Sequence, residues 1–176
     1  MISIPMKNFT ITPVTESDVP ALLSMIRELA EFEHLSHEVV IGEDLLRAAL
    51  FGERPVAAAL LARVEGAVAG YAVYYRTFST FVGRPGIYLE DIYVRPQFRQ
   101  QGLGRAMLET VAKASIALGG GRLEWSALHW NENALRFYRG LGARVLDEWA
   151  LLRMTGGQVR QLVDGQIPAG KPPGSA

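Results

Sequence analysis

A glycine-containing segment between an apolar strand and a helix carries the clearest chemical signal in the sequence. It reads Arg99-Gln100-Gln101-Gly102-Leu103-Gly104-Arg105. Backbone N–H groups at the start of a helix have no partner within the helix, and glycines let an anion approach them closely. The segment therefore predicts a phosphate-binding loop. The alternative is a helix cap that uses glycine only for its backbone geometry.

The amino-acid sequence of this loop excludes two common phosphate-binding motifs. A Walker A loop has Lys followed by Ser or Thr after its second glycine, whereas this chain has Arg105-Ala106. A dinucleotide-binding fingerprint has a third small residue three positions after Gly104, where Met107 stands. Arg95 and Arg99 flank the loop, and they either meet phosphates or remain solvated.

Two adjacent carboxylates, Glu90 and Asp91, interrupt the apolar strand before the loop. Neighbouring side chains on a strand point to opposite faces, so one of them can face a cleft while the other serves structure or binding. A carboxylate in apolar surroundings has a raised pKa, which suits a proton acceptor. The alternative is a structural ion pair with Arg99 or Arg105. The spacing leaves open which carboxylate faces the cleft.

Acidic residues crowd the first predicted helix and the loop after it. They are Glu28, Glu31, Glu33 and Glu38. Like charges at helical spacing repel one another unless nearby cations neutralise them, and a cationic substrate would supply the positive charge. The alternative is a solvated acidic face that Arg27 and Arg47 neutralise.

Composition excludes several classes of function. The 176 residues carry 18 Lys+Arg and 18 Asp+Glu, so the formal net charge is 0, and neither nucleic acid nor an anionic membrane is an expected partner. The chain has no cysteine, which excludes a thiolate zinc site and an acyl-cysteine intermediate. The three histidines, His34, His37 and His129, lack a metal-ligand spacing, so we expect no metal.

The sequence also bears on location. Residues 1–7 lack the basic segment and apolar stretch of a signal peptide. The longest apolar run, 56–62, is far shorter than the ~20 residues that span a bilayer. We therefore expect a cytoplasmic protein.

Hydrophobic periodicity predicts the elements that position these residues. The predicted helices are 15–34 with a capping box at Thr15 and Asp18, 43–51, 103–118 and 132–141. The predicted strands are 9–14, 56–64, 68–75, 86–94 and 123–129, with a terminal hairpin or pair of strands at 144–154. Early strands form a hairpin and later strands alternate with helices, so we expect an α/β (α+β) fold with a mixed sheet. We expect a single domain over residues 1–164 and a disordered Pro/Gly tail at 165–176.

Four separate segments resemble one enzyme family. Residues 99–104 match the Arg/Gln-x-x-Gly-x-Gly/Ala signature of the Gcn5-related N-acetyltransferases (GNAT), and they lie after a central strand, as in that family. Three further segments, in the right order, resemble the diamine (spermidine/spermine) acetyltransferases and the related thialysine N-epsilon-acetyltransferases. They are Arg27–Glu33, Tyr88–Val94 and Trp130–Tyr138 with Gly142-Ala143. The resemblance covers residues 9–154 in outline. It implies a mostly antiparallel central sheet of about six to seven strands flanked by helices.

The resemblance also implies a site. Acetyl-CoA would be the co-substrate, transfer would be direct within a ternary complex, Glu90 would act as general base through water, and Tyr138 would act as acid toward the leaving thiolate. A backbone N–H just after Asp91 would polarise the thioester carbonyl. The residues expected to bind acetyl-CoA are Ile92, Tyr93, Val94, Arg99, Gln100, Gln101, Gly102, Leu103, Gly104, Arg105, Asn131 and Tyr138. By its spacing alone, Tyr138 equally fits a packing role beside Phe137, and Asn131 fits a helix cap.

The implied acceptor is the primary amine of a small amine or amino-acid-like molecule, such as a polyamine, a diamine or a thialysine- or lysine-type compound. Glu28, Glu33, Asp91 and Trp130 are the expected substrate-binding residues. Where the diamine acetyltransferases carry adjacent glutamates, this chain has Ser36-His37, which favours the thialysine branch. The family further implies a homodimer. Two other functions stay open, namely an acyl-CoA-binding sensor or partner module and a protein or peptide N-acetyltransferase.

Overall fold

A computed structural model of the chain describes residues 8–166. Contacts within the chain define two compact units that divide after Leu128. The expectation of one domain over residues 1–164 stays a prediction. The N-terminal segment 1–7 lies outside the described residues, and so does the tail predicted to be disordered, except for Gly165 and Gln166.

The first unit is a five-stranded sheet with helices on both faces. Its strands are β1 (Phe9–Pro13), β2 (Ala58–Val64), β3 (Ala67–Ser79), β4 (Arg84–Val94) and β5 (Leu123–Trp125). Its helices are α1 (Val19–Phe32), α2 (Glu43–Phe51) and α3 (Leu103–Ala117). The strands stand in the order β1-β2-β3-β4-β5, with the first four antiparallel and β5 parallel to β4. The predicted mixed α/β class is confirmed.

Local signals explain where the first elements begin and turn. The Asp18 carboxylate accepts a hydrogen bond from the Thr15 backbone N–H at 2.9 Å, so the predicted capping box is present just before α1. The β2–β3 hairpin turns at Glu65-Gly66, where both residues have positive φ, of 51° and 83°. A two-residue turn with positive φ at both positions matches the twist of the strands it joins.

The two faces of the sheet bury separate apolar clusters. One cluster combines α1 and α2 with residues of β2, β3 and β4, including Leu61, Tyr71 and Tyr93. The other combines the start of α3 with β2 and β3, through residues such as Leu103 and Met107. Burial of these apolar side chains fixes the sheet between its helices, and with it the loop that leads from β4 into α3.

The second unit contains two helices, α4 (Glu132–Gly140) and α5 (Gly156–Val163). Asn131 caps α4 by accepting a hydrogen bond from the Ala134 N–H at 3.2 Å, as predicted. Helix α5 was not predicted, although Thr155 and Gln158 form a capping box that marks its start in the sequence. Among residues 8–166, no helix is long and apolar enough to cross a membrane.

The predicted number of strands is too high. The sheet has five strands among the described residues rather than six to seven, because residues 144–154 form no strand. Strand β5 is also shorter than predicted, since it ends at Trp125 instead of reaching 129. An apolar pattern supplies one face of a strand, but a strand forms only where a neighbouring backbone pairs with it. In residues 144–154 the structure instead has a turn, with the Trp149 N–H donating to the Leu146 carbonyl at 3.2 Å.

Candidate active site

The loop between β4 and α3 has the geometry of an anion site. A short helical turn at Pro96–Phe98 follows β4, and Gly102 then adopts a left-handed conformation with φ 81° at the start of α3. The first helical hydrogen bond of α3 runs from the Ala106 N–H to the Gly102 carbonyl, at 3.0 Å. The N–H groups of residues 103–105 precede that bond and lie at the positive end of the helix dipole. The predicted strand, loop and helix are therefore confirmed, and their geometry suits a phosphate group.

Arg99 holds this loop against the sheet. Its Nε donates to the Val94 carbonyl at 2.8 Å, and its guanidinium carbon lies 5.1 Å from the centre of the Phe32 ring and 5.7 Å from that of Tyr93. A guanidinium at these distances from aromatic rings makes cation–π contacts. Gln101 lies in the same loop, where its Nε2 donates to the Gln97 carbonyl at 3.2 Å.

The other two arginines near the loop form ion pairs. Arg105 donates to the Glu109 carboxylate at 2.8 Å, one turn along α3, and both side chains are exposed. Arg95 donates to both carboxylate oxygens of Glu28, at 2.9 and 2.7 Å, and to the Val68 carbonyl at 2.7 Å. These hydrogen bonds to Glu28 raise the pKa of Arg95.

Glu28 is therefore part of a structural ion pair. This bidentate contact links α1 to the end of β4 across 67 positions of sequence. Arg95 lies on both carboxylate oxygens of Glu28, and the expected binding of substrate by Glu28 stays a prediction.

An irregularity in β4 separates the two adjacent carboxylates. Val73 of β3 pairs with Asp91, but the next residue, Tyr74, pairs with Leu89, so Glu90 is an extra residue in the ladder. Such a β-bulge re-aims the side chains beside it. Asp91 consequently shares the α1 face of the sheet with Tyr71 and Tyr93, whereas Glu90 is exposed.

Asp91 is the carboxylate that the surroundings perturb. Burial raises its pKa to about 6, and the nearby charges of Glu90 and Glu33 act in the same direction. The Tyr71 hydroxyl, which donates to Asp91 Oδ2 at 3.2 Å, opposes this effect by stabilising the ionised form. Burial also raises the pKa of Glu33, which follows the last residue of α1. The predicted raised carboxylate is thus found at Asp91.

Aromatic side chains lie near these carboxylates. The Tyr75 and Tyr88 rings stack with centroids 5.3 Å apart and planes at 28°, and the Tyr88 hydroxyl lies 2.6 Å from Ser126 Oγ. Burial raises the pKa of Tyr75, and the charge of Glu90 adds to this effect, so Glu90 acts on the tyrosine pair. Neither the motifs nor the spacing of the sequence predicts a role for Tyr71, Tyr75 or Tyr88. A tyrosine within an apolar strand was the available signal, because its buried hydroxyl needs a polar partner.

Three of the expected site residues lie in the second unit. Asn131 is the cap of α4, Trp130 directly precedes it, and Tyr138 lies within α4. The Phe137 and Tyr138 rings are 5.2 Å apart between centroids, so Tyr138 takes part in the aromatic pair that its spacing allowed. The roles of Asn131, Trp130 and Tyr138 toward ligands stay predictions.

A metal centre has no support in residues 8–166, where no group of three or more His, Asp or Glu side chains is placed to hold an ion. The chemistry available to the described residues is anion binding at the start of α3, cation binding at Glu33 and Asp91, and proton transfer by carboxylate and phenol groups.

Comparison with known sequences gives a consistent result. The sequence model of the acetyltransferase (GNAT) family matches residues 22–143. A thialysine N-epsilon-acetyltransferase of Mus musculus is 42% identical over 168 residues, which cover 89% of this chain and 98% of that protein. An L-ornithine N5-acetyltransferase of Arabidopsis thaliana is 30% identical, over 81% of this chain and 82% of that protein.

Comparison with solved structures shows the same fold. An integron cassette protein from the mobile metagenome of V. cholerae superposes with a TM-score of 0.73 and 24% identity, over 88% of this chain and 97% of that one. An aminoglycoside acetyltransferase from an uncultured soil metagenomic sample superposes with a TM-score of 0.70 and 18% identity, over 84% of this chain and 95% of that one.

Proposed function

The chain belongs to the acetyltransferase (GNAT) family, and on that premise we propose that it transfers an acetyl group from acetyl-CoA to the side-chain amine of a small amino-acid-like molecule. The observation that carries the proposal is the arrangement along β4. This strand leads through the loop 95–102 to a helix start whose geometry suits an anion. Three residues before its end, the strand holds a partly buried carboxylate, Asp91, which accepts a hydrogen bond from Tyr71.

The start of α3 suits the pyrophosphate of acetyl-CoA. The backbone N–H groups of Leu103, Gly104 and Arg105 would donate to its oxygens, and the left-handed Gly102 keeps side-chain atoms away from this approach. Backbone N–H groups of Ile92, Tyr93 and Val94 are proposed to face the thioester, and Asn131 to contact the same molecule. Acetyl-CoA supplies the activated acyl group, and the remaining steps fall to side chains of this chain.

Proton transfer falls to Glu90 and Tyr138 in this proposal. A side-chain ammonium has an ordinary pKa near ~10.4, so it must lose a proton before it attacks a carbonyl. Glu90 is exposed at the bulge and would accept that proton through a water molecule. Tyr138 would donate its phenolic proton to the departing thiolate, because their ordinary pKa values, near ~10 and ~8.5, are close enough for transfer.

The acceptor is proposed to bind where carboxylates are available to meet a cation. Asp91 and Glu33 act on each other electrostatically, and an ammonium between them would neutralise their repulsion. Glu28 is proposed for the same role, and its carboxylate, which Arg95 holds by both oxygens, would meet the acceptor with its remaining lone pairs. Trp130 would pack against the hydrocarbon part of the acceptor.

The relatives favour an amino acid over a polyamine. Thialysine and ornithine, which appear in the names of the relatives, are amino acids with a side-chain amine. Ser36-His37 replaces the adjacent glutamates of the diamine branch, which agrees with that preference. The cytoplasmic location expected from the sequence stays a proposal. A homodimer is proposed from the family alone, and sedimentation of the full chain tests it.

One assay tests the proposed activity. Release of CoA thiol is measured with thialysine, ornithine, lysine, putrescine, spermidine and a lysine-containing peptide, and mass spectrometry locates the acetyl group. Saturable turnover of an amino acid, with the acetyl group on its side-chain nitrogen, is the expected result. Turnover of the peptide alone assigns a protein acetyltransferase, and CoA binding without turnover of any amine contradicts enzymatic function in favour of a sensor.

Variants then assign the roles. Tyr138→Phe retains the ring beside Phe137 but removes the proton donor, so we expect kcat to fall about 100-fold. Loss of the hydroxyl contact should weaken CoA binding by no more than about tenfold. Phe137→Tyr is the matched control, since it adds a hydroxyl at the neighbouring ring and leaves Tyr138 in place. Wild-type kcat in Tyr138→Phe would move the acid role to another group.

A further inference from the structure

Tyr71 is a buried polar side chain that the proposed mechanism does not use. It lies in β3 with 0% of its surface exposed, in the cluster that joins α1 and α2 to the sheet. Its ring lies 6.4 Å from that of Tyr93, its partner on β4. Its hydroxyl reaches Asp91 Oδ2, at 3.2 Å. Burial of a phenol hydroxyl costs free energy unless it has a polar partner, so the hydrogen bond to Asp91 stabilises Tyr71 in the core.

The backbone directs this contact. Tyr71 pairs with Tyr93 and Val73 pairs with Asp91, so all four side chains lie on the α1 face of the sheet. The regular pairing runs from Val94 back to Asp91, and the extra residue, Glu90, interrupts it there. Asp91 therefore lies at the edge of the regular ladder, on the same face as Tyr71.

We propose that Tyr71 is a positioning residue for the acceptor, because its hydroxyl holds Oδ2 of Asp91 and orients the carboxylate toward the ammonium of the incoming amine. This inference rests on the proposed function of the site. It adds a residue of β3, the strand beside β4, for which neither the glycine motif nor the family signature gives a role.

The groups around Asp91 explain why orientation alone is not the whole effect. The charged groups that act on it are Glu90, from its own strand, and Glu33, which follows α1. Both oppose ionisation, as does burial, whereas the hydrogen bond from Tyr71 on β3 favours it. Burial and the Asp91 charge raise the pKa of Tyr71 well above its ordinary value, so the phenol keeps its proton and remains a donor at neutral pH.

The test compares Tyr71→Phe with wild type. Loss of the hydroxyl removes a hydrogen bond to a charged group, so the pKa of Asp91 rises further, by about one pH unit. The acid limb of the pH profile of kcat/KM for the acceptor moves to higher pH by the same amount. At a pH below the pKa of Asp91, kcat/KM is then about tenfold lower than in wild type. The loss appears in KM for the amine, while kcat at high pH stays near wild type.

Tyr74→Phe is the matched control. Tyr74 is a half-buried tyrosine three positions along β3, it pairs with Ala58 and Leu89, and it points to the opposite face of the sheet from Tyr71. We expect its acid limb to coincide with that of wild type. Asp91→Asn should lower kcat/KM for the amine strongly, and the addition of Tyr71→Phe to Asp91→Asn should cause no further loss, because Tyr71 acts through Asp91.

A second readout does not depend on activity. Carbon-13 NMR of the Asp91 carboxyl follows its ionisation in the free protein, and it should titrate at higher pH in Tyr71→Phe. A titration that does not move overturns the inference, and so does one that moves without a change in the acid limb. If no amine is acetylated, the proposed function fails and the acceptor role with it, while the NMR titration still decides whether Tyr71 controls Asp91.

Discussion

Replacement of Asp91 by Asn should stabilise the fold at neutral pH while it removes acceptor binding. Asp91 has a pKa raised from 3.8 to about 6, chiefly by burial. A carboxyl whose pKa is higher in the folded state binds protons more tightly there than in the unfolded state. The contribution of Asp91 to stability is therefore fully present at pH values below its pKa in the unfolded chain. It is lost as the pH rises through about 6, its pKa in the fold. Asn carries no charge at any pH, and its side-chain oxygen still accepts the Tyr71 hydrogen bond.

The size of this effect follows from the two pKa values. They differ by about two units, and each unit corresponds to about 1.4 kcal/mol, so ionisation of Asp91 destabilises the fold by about 3 kcal/mol at neutral pH. This value is an upper limit, because the side chain is only partly buried and water screens part of the charge. The stability gained by Asp91→Asn should grow from about pH 4 to about pH 7 and then stay constant.

Urea unfolding at a series of pH values measures this change. Asp44→Asn serves as the control, because Asp44 is an exposed carboxylate of α2 that pairs with Arg47 at 3.5 Å. Its effect should stay within about 1 kcal/mol at every pH, as is usual for surface ion pairs. A difference between Asp91→Asn and wild type that is the same at about pH 4 and about pH 8 would refute the assignment of the raised pKa to Asp91.

Three further predictions concern the same region. Glu90→Gln should lower kcat by about 100-fold or more, since general bases contribute factors of that order; calorimetry should show unchanged CoA binding, and wild-type kcat would place the base elsewhere. Gly102→Ala should lower the free energy of unfolding by about 1 kcal/mol, because alanine is strained at the positive φ of Gly102. Gly42→Ala is the control and should not, because Gly42 has φ −110° and no atom lies near the added Cβ. Equal thermal midpoints for the two variants would contradict this. Arg95→Met should destabilise the fold by about 1 kcal/mol, because it removes the contacts to Glu28 and Val68. Arg47→Met, which removes only exposed ion pairs, should destabilise the fold less. Chemical denaturation that ranks the two variants in the opposite order would exclude a structural role for the Arg95 contact.

Elements with local causes could be predicted from the sequence. The bounds of α2, 43–51, are those that the apolar spacing predicts, and the start of α3 follows from the glycine loop. The β2–β3 hairpin follows from Glu65-Gly66, because a turn of two residues depends on the backbone preferences of those residues alone. The left-handed glycine at the start of α3, on which the proposed phosphate binding depends, belongs to this group.

Contacts between distant residues could not be predicted in the same way. Glu28 and Arg95 are 67 positions apart, and Tyr71 and Asp91 are 20 apart, so neither pair follows from periodicity. The bulge at Glu90 depends on how β4 pairs with β3, which no property of β4 alone specifies. The sequence therefore predicts a raised pKa at one of two carboxylates, and only the register of the strands identifies Asp91.

The extra residue in β4 also limits how this site can vary. Leu89 and Asp91 pair with the neighbouring residues Tyr74 and Val73, so the ladder treats them as consecutive residues and they face opposite sides of the sheet. Deletion of residue 90 would therefore remove the bulge and one carboxylate, while Leu89 kept its place in the core and Asp91 its place beside Tyr71. A deletion in the regular part of the strand would instead reverse the face of every side chain on one side of the change. We therefore expect variants of this chain to change acceptors by altering residues 90 and 91, and to tolerate the loss of a residue from β4 only at the bulge.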